Sequence, residues 1–168
     1  PQKPTAKTLP LRLPSNTQTV TLTADGPRVV VYGATLEHPE PGLVWDTVGI
    51  VAASANTYLT VDEGVLADHM EVREPNLVVM MLGGNENRRI DRKVFTYRQV
   101  VDDFEQFVDR VRRVRPDADC LTVGPIEAVY RHTKSGKKFV TRRWLDKVNQ
   151  AQRRISLEKG CAYLDFYK

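Results

Sequence analysis

Apolar positions along this chain fall into two kinds of regular pattern. From Leu77 to Leu82 six apolar residues run without alternation, after the breaker pair Pro75-Asn76 and before Gly83-Gly84-Asn85-Glu86-Asn87. A run of that length suits one strand, and its continuity predicts burial on both faces of a parallel sheet. Cys120 to Pro125 and Cys161 to Phe166 predict two more strands. Helical spacing fills the gaps. Tyr97, Val100, Val101, Phe104, Val108 and Val111 recur along one face until Pro116, and Leu145, Val148, Ala151 and Ile155 do so before Gly160, which sits where a helix C-cap glycine belongs. An earlier helix is predicted from about Thr60 to Arg73, with Asp62 and Glu63 at its positive end and Leu66, Met70 and Arg73 on its inner face. Strands alternating with helices predict an α/β fold, a parallel sheet in three α/β/α layers.

The opening of the chain has a different rhythm. Leu9, Leu11 and Leu13 alternate with other residues, as do Thr19 to Thr23, and Arg28 to Tyr32 follow the turn signal Ala24-Asp25-Gly26-Pro27. Two or three antiparallel strands are expected, too few to be stable alone. The loop His38 to Gly42 marks the boundary. Residues 1–42 therefore read as a partial β-sandwich and residues 43–168 as the α/β domain.

Composition narrows the function classes. In 168 residues, 41% are hydrophobic and 27% charged, as in an ordinary globular protein. No apolar run reaches membrane-spanning length, and no cysteine or histidine spacing matches a metal site, so no metal or cofactor is expected. Cys120 and Cys161 each open one of two strands joined by a single crossover helix, so they should start at the same sheet edge. A disulfide and a pair of buried thiols both fit. The net charge of +4 is concentrated in Arg110, Arg112, Arg113 and Arg115, and in a loop from Arg131 to Arg143 with six Lys or Arg residues. Phe139 alone falls among these charges, short of the aromatic series that a stacking platform for nucleic acid requires, so nucleic acid is not an expected partner.

In open parallel sheets ligands bind beyond the carboxyl ends of the strands. Gly83-Gly84 lets the chain turn tightly there and Asn85 offers an amide donor, although Gly-Gly-Asn also makes ordinary turns. The wider order of segments is more specific. Tyr32-Gly33, Trp45-Asp46-Thr47-Val48-Gly49, Gly83-Gly84-Asn85-Glu86, Val123-Gly124-Pro125, Gln152-Arg153 and Gly160-Cys161-Ala162 resemble blocks of the SGNH (GDSL-type) hydrolases. The likeness is strongest to the bacterial peptidoglycan and carbohydrate O-acetylesterase branch, in which a jelly-roll module is inserted. That resemblance implies an SGNH-like sheet and a jelly-roll-like segment before it. It implies removal of O-acetyl or similar short acyl groups from a polysaccharide or small ester, in the periplasm or outside a bacterial cell. It also implies an oxyanion hole made by Asn85, by the backbone of Ala52 and by Gly83. Ala52 stands where the family often has Gly, in Gly49-Ile50-Val51-Ala52-Ala53.

The chain lacks the family's Gly-Asp-Ser and Asp-x-x-His blocks. Its histidines, His38, His69 and His132, read as surface or packing residues, and Ser54 as a helix N-cap or small packing residue. The expectation is a domain incomplete at both ends, whose nucleophile and acid–base pair lie in missing segments of its own polypeptide. The alternative is a non-catalytic carbohydrate-binding relative. Gly84, Glu86, Lys134, Lys137 and Lys138 are the expected substrate contacts, the lysines as a cationic hold on an acidic polymer.

Overall fold

The computed structural model describes residues 8–26, 29–31, 33–38, 40–127, 129–131 and 139–167. The chain divides into two units, Pro1–Thr47 and Val48–Lys168. In the first unit no helix or strand forms among the described residues, and all of those residues are exposed. The antiparallel strands expected before residue 42 are therefore not found there. Alternation marks out one face, but a strand also needs a hydrogen-bonded partner and something to bury that face. Leu9, Leu11 and Val30 stay largely open, and Thr17 N–H closes a local turn on the Pro14 carbonyl at 3.0 Å.

The second unit is α/β. Its elements run α1 (Ala55–Leu59), α2 (Glu63–Arg73), β1 (Leu77–Met81), α3 (Gly84–Asp91), α4 (Tyr97–Val114), β2 (Asp119–Val123), β3 (Val129–Arg131), β4 (Phe139–Thr141), α5 (Leu145–Glu158) and β5 (Ala162–Leu164). Strands β1, β2 and β5 form a parallel sheet in that order. Val79 lies beside Leu121, and Leu121 beside Ala162. The short β3–β4 hairpin is antiparallel and falls where the sequence predicts only a loop.

Side chains alternate across a strand, and here the two faces differ. Met80 and Cys120 pack with Phe104, Val108 and Val111 of α4 and Ile155 of α5 in the main core. On the same face Thr122 accepts a buried hydrogen bond from Ser156 of α5 at 2.7 Å. Leu77, Val79 and Met81 point the other way and are 50%, 37% and 55% exposed. Among the described residues β1 lies at the edge of the sheet and one of its faces is covered, so burial of this run on both faces is not found there. The periodic face of α4 behaves as its spacing predicts, with Val100, Phe104, Val108 and Val111 all buried. Thr96 and Gln99 cap that helix reciprocally, the Thr96 N–H reaching the Gln99 side chain at 2.8 Å and the Gln99 N–H reaching Thr96 Oγ1 at 3.2 Å. Gly160 takes φ +75° just past α5. Cys120 and Cys161 form a disulfide with their Cα atoms 4.8 Å apart, which decides between the two alternatives.

Candidate active site

Two short segments meet beyond the carboxyl end of β1: the turn from Ile50 to Ser54 that enters α1, and Leu82-Gly83 entering α3. In the first, Ala53 N–H donates to the Ile50 carbonyl at 3.1 Å, and Ala52 sits in the left-handed region at φ +59°. An L-residue there costs roughly 1–2 kcal/mol relative to the right-handed region, because Cβ crowds the following carbonyl. Among the described residues nothing bonds the Ala52 N–H.

Helix α1 has five residues, too few to hold itself. Side chains from elsewhere satisfy both of its ends. At the start, Ala55 N–H donates to Glu86 Oε1 at 3.0 Å. At the far end Arg110 donates to the carbonyls of Tyr58, Leu59 and Val61 at 3.3, 3.1 and 2.8 Å. Arg113 pairs with Glu63 through two bonds of 2.7 and 2.9 Å, and Arg112 bonds the Ala118 carbonyl at 2.9 Å. Three of the four arginines clustered from Arg110 to Arg115 are thus bonded to other parts of the chain.

Gly83 has φ +118°, and a Cβ there would lie 3.0 Å from Gln152 Oε1 and from the Pro125 ring. Both the backbone angle and the space demand glycine. Its N–H donates to Glu86 Oε2 at 2.8 Å, the backward half of a capping box at the start of α3. Glu86 is therefore buried with both oxygens occupied by backbone N–H groups. Burial pushes its carboxyl above the ordinary value of 4.5, against the opposing pull of those N–H groups and of Arg89. Glu86 thus clamps the two segments from a buried position, and the Gly83 N–H is committed to that clamp.

Asn85, in the first turn of α3, reaches out of its own loop: its Nδ2 donates to the Ala53 carbonyl at 2.8 Å across 32 positions. An amide nitrogen carries two hydrogens, so one remains for another acceptor. The structure brings Asn85 to the turn that carries Ala52. It leaves Gly84 exposed at the start of α3. Lys134, Lys137 and Lys138 lie outside the described residues. Ser54 is the buried N-cap of α1, with its Oγ 3.4 Å from Thr57 Oγ1, and His69 is exposed on α2.

Sequence reasoning missed Arg89. Its Nη2 donates to the Ala52 carbonyl at 3.3 Å, while its guanidinium lies over the Phe95 ring, 5.2 Å from the centroid. Its spacing of four from Asn85 puts both on one helical face, a signal visible only once Gly84 is known to start a helix. Behind Gly83, Asn87 and Gln152 are buried. Asn87 Oδ1 accepts the Trp144 N–H at 3.1 Å, whereas Asn87 Nδ2 and Gln152 Oε1 have no partner among the described residues. Among the described residues no group of three or more His, Cys, Asp or Glu residues is arranged to hold a metal ion, and no helix is long and apolar enough to cross a membrane.

Beyond the first strand of the parallel sheet, the Asn85 amide thus stands beside a turn whose Ala52 N–H has no bond among the described residues. Residues 15–168 match the GDSL-like lipase/acylhydrolase family, and the chain belongs to that family. Its fold is similar to that of a solved peptidoglycan O-acetylesterase, with a TM-score of 0.58 and 18% sequence identity over 68% of this chain. The matched part spans 31% of that esterase chain. No curated protein sequence matches this chain.

Proposed function

We propose that this chain supplies the oxyanion-stabilising part of an ester hydrolase that removes O-acetyl or similar short acyl groups from a polysaccharide. The observation that carries the reading is the meeting of the Asn85 amide with the turn of Ala52, whose N–H has no bond among the described residues. Donors fixed before the reaction stabilise a tetrahedral oxyanion without reorganising, and removal of one costs about 10²–10³ in kcat. The serine nucleophile and its His–Asp pair come from outside these 168 residues, since neither block occurs within them. Family membership supports ester hydrolysis, and the fold neighbour motivates the choice of an acetylated wall polysaccharide. The disulfide fits a periplasmic or secreted setting. Lys134, Lys137 and Lys138 would hold the acidic polymer near the ester.

The missing Gly-Asp-Ser block favours one other reading, a carbohydrate-binding relative without catalysis. Acetate release from O-acetylated peptidoglycan, measured on the polypeptide or assembly that carries the serine, separates the two. With Asn85→Ala, kcat is expected to fall by about 10²–10³ while KM stays nearly constant. An unchanged kcat removes Asn85 from the mechanism, and binding without acetate release supports the non-catalytic reading.

A further inference from the structure

Helix α3 holds the Ala52 turn by its backbone at three points. Asn85 Nδ2 bonds the Ala53 carbonyl at 2.8 Å, Glu86 takes the Ala55 N–H at 3.0 Å, and Arg89 Nη2 bonds the Ala52 carbonyl at 3.3 Å. The last bond acts on the one residue of the turn whose backbone is unfavourable, Ala52 at φ +59°. The guanidinium is not free to wander, because it rests on the Phe95 ring at 5.2 Å. Phe95 is itself held by the turn that ends α3, where its N–H and that of Val94 donate to the Arg89 carbonyl at 3.4 and 2.9 Å. A planar cation stacked on a ring and donating to a carbonyl keeps its direction better than a flexible ammonium does.

We propose that Arg89, steadied by Phe95, is a positioning residue that keeps Ala52 in its left-handed conformation and so aims the Ala52 N–H to the side where Asn85 stands. The proposal rests on the oxyanion-hole reading above for its function, but the hold on Ala52 can be measured without it. Glycine would adopt this backbone unaided. With alanine at the position, the chain needs an outside anchor, and Arg89 is the side chain that reaches the Ala52 carbonyl.

The test uses the isotopically labelled 168-residue chain and the Ala52 Cα and Cβ chemical shifts and amide coupling constant, which report φ. R89M is expected to move these values out of the left-handed range, F95L to move them part of the way, and R89K to restore most of the parent values. In an A52G background the stability loss caused by R89M should shrink at least threefold. Unchanged Ala52 values in R89M, or an equal stability loss in both backgrounds, would overturn the proposal. A separate titration with sodium acetate probes the functional side. Acetate should perturb the Ala52 amide and the Asn85 side-chain amide in the parent, with at least fivefold weaker affinity in R89M. No acetate response in the parent would count against the ester site, while the Ala52 shifts still decide whether Arg89 holds the turn.

Discussion

Ala52 gives the clearest consequence at the scale of a single residue. Its φ of +59° is one that glycine adopts without strain and alanine does not. Glycine also leaves the unfolded chain freer, which offsets part of the gain. The net expectation for Ala52→Gly is a rise in unfolding free energy of about 1 kcal/mol, read as a higher urea midpoint at constant slope. A drop would mean that the turn does not hold this backbone in solution. The single residues of the site were unequally legible in the sequence. Asn85 stood out because Gly-Gly-Asn follows an apolar run. Glu86 was singled out as a substrate contact, but its clamping bonds could not be read, because its two partners are backbone N–H groups, one of them 31 positions away in Ala55. No side-chain pattern advertises a backbone donor. Gly83 was noticed for its residue type, but the bond of its N–H to Glu86 could not be read from the sequence.

At the scale of elements, α4 could be read directly because one helix face is buried against one core. β1 was misread because an unbroken apolar run describes composition, not coverage. Its alternate residues see core and solvent in turn. Met80→Ala is therefore expected to cost about 2–5 kcal/mol, whereas Val79→Thr should change stability by no more than about 0.5 kcal/mol. Paired urea denaturation curves check this, and similar losses at both positions would refute the assignment of faces. Helices α1 and α3 are joined through Glu86, and that link carries a pH signature. Burial raises the folded-state pKa above the ordinary 4.5, so the folded chain binds the proton more tightly than the unfolded chain. This contribution is fully present below 4.5 and is lost as pH rises through the folded value. Thermal midpoints measured from pH 4 upward should accordingly show a falling contribution in the parent that Glu86→Gln lacks. Parallel pH profiles for the two proteins would show that this carboxyl does not shift. The β3–β4 hairpin was not legible at all, since its three-residue strands are shorter than any pattern can mark.

For the whole molecule, the disulfide ties the sheet together at its amino end. Leu121 and Ala162 are paired neighbours, so Cys120 and Cys161, one residue earlier on each chain segment, start the two strands side by side. The bond spans 41 positions and encloses β2, the β3–β4 hairpin and α5. Closing a loop of that length removes unfolded-chain entropy equivalent to about 4 kcal/mol at 25 °C in the loop-closure account. That is a large share of the 5–15 kcal/mol that typically separates folded from unfolded states. It matters more where part of the sheet is uncovered, because β1 leaves Leu77, Val79 and Met81 half exposed and their burial contributes correspondingly less. Reduction should therefore lower the unfolding free energy by about 3–4 kcal/mol, with the Cys120→Ser/Cys161→Ser double variant matching the reduced parent. Thiol titration of the unfolded, unreduced chain should find no free thiol. Two free thiols would remove the bond, and equal urea midpoints with and without reductant would show that it contributes no stability.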